Sequence, residues 1–262
     1  MAMSLAIWSA KMRPDEWVLL VDGDMHVRTV ELKMCPVTDM TLAEVLHEDK
    51  PIEEAVYLCE LESGGEPLYP HLAILPAGGR FLPPMQGNPL DFIDQTKRRF
   101  DALIARLRKR FSLIIIDTPA SMSFEHLILT AVADGVIYVV EPNDDSIGST
   151  KETATGLQEF METQPLGVVL NRVPAHVDEA EWVRKAKEIA PVLGVVPDDD
   201  SVGESFRQNM PVVAVSPDFP ASKALEKIAQ KVFALHIKPT KPSRRIERAI
   251  ERVAGELKET EK

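Results

Sequence analysis

Short hydrophobic runs closed by turn residues alternate along this chain with longer stretches of helical period. Six runs predict strands: Val18–Asp22, Leu72–Leu75 ahead of Pro76-Ala77-Gly78-Gly79, Leu113–Asp117, and residues 135–140, 167–170 and 193–196, the last ahead of Pro197. They are unbroken and rich in β-branched residues, the pattern of strands covered on both faces. Between them apolar residues recur at three and four. Pro89–Arg110 puts Phe92, Ile93, Phe100, Leu103, Ile104 and Leu107 on one face, with Lys97, Arg98, Arg106 and Arg108 turned to solvent. The same period predicts helices over residues 41–47, 124–133, 149–162, 178–190 and 221–235. Strands alternating with helices imply an α/β fold, a three-layer α/β/α arrangement with a mostly parallel central sheet of the Rossmann-like type.

Two regions depart from that rhythm. Residues 237–242, with two prolines and two lysines, read as a linker, and residues 243–258 as a C-terminal amphipathic helix capped by Ser243. Its apolar face, Ile246, Ala249, Ile250, Val253, Ala254 and Leu257, is small and lacks aromatics, which suits packing on a protein better than insertion into a membrane surface. The domain division is therefore 1–236 and 237–262. At the other end, Leu5-Ala6-Ile7-Trp8 is as strand-like as Val18–Asp22, yet only the six residues from Met12 to Trp17 separate them. Parallel neighbours in one sheet need a crossover of about a dozen residues. Residues 5–10 must pair antiparallel at an edge, lie on the surface or be exchanged with a neighbouring chain. Trp8 and Trp17 flank this short connection and are expected to pack together.

Composition narrows the function. Among 262 residues, 41 acidic against 30 basic side chains leave a net charge of -11, which argues against a surface built to neutralise nucleic-acid phosphates. Cys35 and Cys59 stand without CxxC spacing or nearby histidines, so buried free thiols in a reducing compartment are expected. The N-terminus lacks a signal-peptide pattern, and no apolar run approaches the roughly 18 residues that span a bilayer. A cytoplasmic protein, at most peripheral at a membrane, is the expectation. Twenty prolines, with Lys and Glu plentiful, hint at a thermophilic source. His26 reads as a surface histidine and His126 as a packing one.

In an open parallel sheet, chemistry collects at the carboxyl ends of the strands. Three strands here end suggestively: Asp22-Gly23-Asp24, Asp117-Thr118-Pro119-Ala120-Ser121, and Asn171-Arg172. A carboxylate at a strand tip can hold magnesium through water, because that ion prefers oxygen and keeps several waters. A second acid can place an attacking water. Aspartates also end strands simply as turn formers. Three such ends in one sheet favour the chemical reading.

The segments VLLVDGDMH, LAILPAG, LIIIDTPASMS, GVIYVVEPNDDSIGSTKET, GVVLNRV and GVVPDDDSVGESFRQNMPVV, in that order, resemble the MinD/ParA family of deviant Walker A P-loop ATPases, of the SIMIBI class. The resemblance spans residues 18–235. It implies an ATP-dependent dimerisation switch: Asp22 near the magnesium ion, Asp24 placing the attacking water, Asp117 holding the metal through its water shell, and Asn171, Arg172, Pro197 and Asp198 lining the purine. It further implies ATP and Mg2+ as cofactors, a homodimer, a protein partner and a peripheral membrane contact.

Two departures qualify this. Ser121 stands where many members have Gly. More seriously, the family's glycine-rich KGGxGK[T/S] loop, whose backbone amides and lysine hold the phosphates, is missing. LAIWSAK resembles the family's first strand and the loop's first lysine, Lys11, which by resemblance would reach across a dimer; MRPDEW follows, and no Gly-Lys dipeptide occurs anywhere in the chain. Impaired hydrolysis by an ATPase-family protein is one expectation. A nucleotide-independent scaffold that keeps the fold without the phosphates is the alternative. A metal-cluster carrier of the same superfamily would need paired cysteines that this chain does not supply.

Overall fold

A computed structural model describes all residues except 25–28, 36–37, 49, 64, 79–88, 119–123, 162 and 238–262. His26, Ser121 and the C-terminal helix read from the sequence lie outside the described residues. The elements in chain order are α1 (Ala2–Met12), β1 (Val18–Asp22), α2 (Thr29–Met34), α3 (Leu42–Glu48), a 3-10 turn (Ile52–Ala55), β2 (Tyr57–Leu58), β3 (Glu62–Ser63), β4 (Glu66–Pro67), β5 (Leu72–Leu75), α4 (Pro89–Arg110), β6 (Leu113–Asp117) and α5 (Phe124–Val132). They continue with β7 (Val136–Val140), α6 (Asp144–Met161), β8 (Pro165–Val173), α7 (Glu179–Ala186), β9 (Val192–Pro197), α8 (Asp200–Arg207), α9 (Val212–Val215) and α10 (Pro220–Ala234). The fold is α/β with mainly parallel sheets.

The chain forms two compact units, one drawn chiefly from residues 10–133 and one from the described residues from Asp134 onward together with Met3–Ser9. In the first, a four-stranded sheet runs β2-β5-β1-β6. β1 is central and parallel to both neighbours, with Val18 opposite Leu72 on one side and Leu113 on the other. Every residue of β1 and β5 is buried, as unbroken apolar runs require. β2 adds an antiparallel edge, Tyr57 to Ile74, that two residues of sequence could not announce. Phe100, Leu103, Ile104 and Leu107 of α4 are buried, which bears out the helix face read from their spacing.

The loop after β5 is tied to α3. Thr41 caps that helix, its backbone N–H donating to Glu44 Oε2 at 2.8 Å, while the Leu42 and Ala43 amides donate to the Pro76 and Ala77 carbonyls at 2.8 and 3.1 Å. Gly78 follows at φ 73°, where a Cβ would stand 2.0 Å from Thr41 Oγ1. Only glycine fits there.

In the second unit, β7, β8 and β9 form a parallel sheet in that order. α6 begins at Asp144, ahead of the residue 149 expected, because Asn143 Oδ1 accepts the Ser146 amide at 2.8 Å and so caps the helix before Gly148. α7 starts behind Asp178, whose carboxylate accepts the Ala180 and Glu181 amides.

One expectation is corrected. Residues 5–8 are not a strand; they lie within α1 and add to neither sheet. Ile7 is the segment's only β-branched residue, whereas Ala2, Met3, Leu5, Ala6, Ala10, Lys11 and Met12 are all good helix formers. Pro14 ends the helix by restricting Arg13. The helix is buried at Ala2, Ser4, Leu5, Ala6, Ile7, Ser9 and Ala10, so it is covered on most sides rather than along one stripe. Trp17 meets His71 edge-on, with ring centroids 5.2 Å apart, and lies 5.9 Å beneath the Arg110 guanidinium.

Candidate functional site

β1 and β6 run parallel in register, so their last residues, Asp22 and Asp117, are brought side by side at the carboxyl edge of the first sheet. Asp22 is buried and its carboxylate is engaged from two sides. Oδ1 accepts the Asp24 amide at 3.2 Å, and Oδ2 accepts the Val30 amide in the first turn of α2, also at 3.2 Å. The first bond is an Asx turn, the local geometry that an aspartate at a strand end favours. Gly23 fastens the two strand ends, its amide donating to the Asp117 carbonyl at 2.8 Å.

Asp117 is half-buried, and its carboxyl pKa is raised above the usual range chiefly by loss of water, with the negative charge of Asp24 adding to it. Asp24 therefore lies close enough to be felt electrostatically. Three carboxylates gather at one strand edge, and their mutual repulsion is what a divalent cation would relieve. Among the described residues no set of three His, Cys, Asp or Glu side chains converges as a closed metal cage. Magnesium does not need one, since it is commonly held by one or two carboxylates with waters and phosphate oxygens completing its shell. The acids fit such an ion.

Lys11 lies elsewhere in this unit. It is the penultimate residue of α1, exposed, with its ammonium 5.6 Å from the centroid of the Tyr69 ring, three residues before β5 begins. The acids stand where β1 and β6 end. Ahead of β1 stand α1 and the short connection of residues 13–17.

In the second unit, the carboxyl ends of β7, β8 and β9 form their own edge. Asn171 and Arg172 are the two residues before the last of β8, and Pro197 closes β9 opposite Val173. The Asp198 amide donates to the Val173 carbonyl at 2.9 Å, so all four residues sit at adjoining strand ends. Arg172 has φ 56°, the left-handed region, and its guanidinium Nη1 lies 3.1 Å from Glu141 Oε1. The sequence reading missed Glu141, although its place directly after the apolar run of β7 was a signal of the kind used for Asp22. Asp199 caps α8: burial would raise its pKa, but hydrogen bonds from Ser201 and the Ala221 amide outweigh that and hold it below the usual carboxylate range.

No family model matches the chain. Its backbone superposes on the septum site-determining protein MinD complexed with Mg-ADP from Pyrococcus horikoshii with a TM-score of 0.69, covering 88% of each chain at 23% identity. The fold is thus that of the MinD/ParA-type P-loop nucleotide-binding proteins. In sequence it is 28% identical over 219 residues to an uncharacterised ATP-binding protein of Methanocaldococcus jannaschii, covering 82% of this chain and 76% of the relative. It is 23% identical over 203 residues to the septum site-determining protein MinD of Synechocystis, covering 75% and 70%. In sequence and in fold the chain is thus similar to MinD-type ATP-binding proteins.

Proposed function

We propose that this protein is a MinD/ParA-type switch that retains the metal and water chemistry, and that the 262-residue chain, whose sequence contains no Gly-Lys dipeptide, hydrolyses ATP poorly. The observation that carries this is the pairing of Asp22 with Asp117 at adjacent strand ends, with Asp24 beside them, in a sequence without a single Gly-Lys dipeptide. In this reading Asp22 and Asp117 hold Mg2+ directly or through water, and Asp24 orients the attacking water. Asn171, Arg172, Pro197 and Asp198 line the purine. A triphosphate without an amide cradle meets three carboxylates, so binding of ATP is weak and depends on magnesium.

The output of such a switch is recruitment of a protein partner, with residues 243–258 as a segment for docking on that partner or, peripherally, on a membrane. No helix among the described residues is long and apolar enough to cross one. A cytoplasmic location goes with this role. The alternative, a scaffold that works without any nucleotide, is favoured by the same lack of a Gly-Lys dipeptide. Calorimetric titration with magnesium-ATP, together with phosphate release, separates the two. Magnesium-dependent binding with turnover far below that of a complete family member supports the impaired switch. Micromolar binding with brisk turnover abolished by Asp117→Ala overturns the impairment, and silence in both measurements leaves the scaffold.

A further inference from the structure

The paired registers Leu170 to Val195 and Val173 to Pro197 leave Asn171 and Arg172 together opposite the single residue Val196. This two-against-one count is a bulge, a device that re-aims side chains at a sheet edge. Arg172 stands within it in the left-handed region at φ 56°. For a residue with a Cβ that conformation costs about 1 to 2 kcal/mol. Its guanidinium meets Glu141 at 3.1 Å, and the two side chains are 66% and 46% exposed. An exposed ion pair contributes about 0 to 1 kcal/mol, so the contact does not offset the backbone cost and stability does not account for the arrangement.

Glu141 is itself held in place. Its amide donates to Ser146 Oγ at 3.0 Å, Pro142 restricts its backbone, and Val140 before it pairs with Leu170. A fixed carboxylate on one strand end thus holds a strained arginine on the next. A planar guanidinium held in this way offers a flat cationic face, the shape that stacks on an aromatic base.

We infer that Glu141 is a positioning residue that orients Arg172 against the base of a bound purine nucleotide. The inference rests on the purine reading of Asn171, Arg172, Pro197 and Asp198 above. Stacking does not read the edge of the base, so Glu141 sets affinity for adenine and guanine nucleotides alike.

The test is a ligand-observed NMR titration of the full chain with Mg-ADP and Mg-GDP, alongside urea unfolding. Glu141→Gln should weaken both nucleotides by about threefold to tenfold with an unchanged unfolding midpoint, and Glu141→Asp should recover part of the loss. The double variant Glu141→Gln, Arg172→Ala should bind no worse than Arg172→Ala alone. Wild-type binding with Glu141→Gln unaffected, or with losses that merely add in the double variant, overturns the inference and leaves the nucleotide reading standing. No binding by the wild-type chain at millimolar ADP overturns both.

Discussion

Gly23 is the residue on which the acidic edge depends most directly, and its replacement by alanine has a cost that can be worked out. A Cβ on Gly23 would stand 2.4 Å from the Asp117 carbonyl oxygen and 2.6 Å from Leu129 Cδ1, against ordinary contacts of 3.4 to 4 Å. The leucine methyl can turn aside. The carbonyl cannot, because it belongs to β6 and already accepts the Gly23 amide at 2.8 Å while Asp22 and Asp117 pair in register. Relief requires the strand ends to part by about 1 Å, which breaks that hydrogen bond. Forced overpacking costs about 1 to 3 kcal/mol and the lost bond about 1, so Gly23→Ala should destabilise the protein by about 2 to 4 kcal/mol. In urea the midpoint should fall by about 1 M. Gly148→Ala is the control: it lies in α6 with no heavy atom within 4 Å of its added Cβ, and should gain about 0.5 to 1 kcal/mol from helix propensity. A Gly23→Ala midpoint within 0.2 M of wild type would refute the claim that this close approach holds the two aspartates together.

Other outcomes follow from the same geometry. Asp22→Ala leaves the Asp24 and Val30 amides without their acceptor and should cost about 1 to 3 kcal/mol in urea unfolding, so loss of function in that variant has to be read beside its stability. Asp117 has a folded pKa above its unfolded one, so its ionisation opposes folding: Asp117→Asn should be more stable than wild type at pH 7, and the gap should close as pH falls through the folded pKa toward the unfolded value. Asp199 has the opposite sign. Its contribution is present above the unfolded carboxylate pKa and lost as pH falls through the lower folded one, so Asp199→Ala should cost about 1 to 2 kcal/mol at neutral pH and nothing in strong acid. The Cys59 thiol, pushed up to about 11 mainly by burial, should resist a disulfide thiol reagent at pH 8 until the protein is unfolded.

Val18–Asp22, Leu72–Leu75, Leu113–Asp117 and Pro89–Arg110 have in the structure the bounds that their hydrophobic patterns predicted. In β1 and β5 local pattern and tertiary burial agree, whereas every residue of β6 is only half-buried. The elements missed were those too short to carry a pattern, such as β2 and the β3–β4 hairpin. Bounds slipped where a side-chain cap outweighed a glycine, as Asn143 did ahead of Gly148. The aspartates at strand ends were legible singly. That Asp22 and Asp117 stand side by side was not, because 95 residues separate them in sequence and only the sheet register joins them.

The sequence by itself determined that this is an α/β protein with acids at its strand ends, because those are properties of local pattern. The tertiary structure decided the rest. Leu5-Ala6-Ile7-Trp8 satisfies helix and strand patterns nearly equally, and the all-round burial that settled it as α1 is created by distant parts of the chain. The bulge that sets Arg172 against Glu141 likewise exists only once three strands are in register, since a left-handed arginine has no signature in composition or spacing.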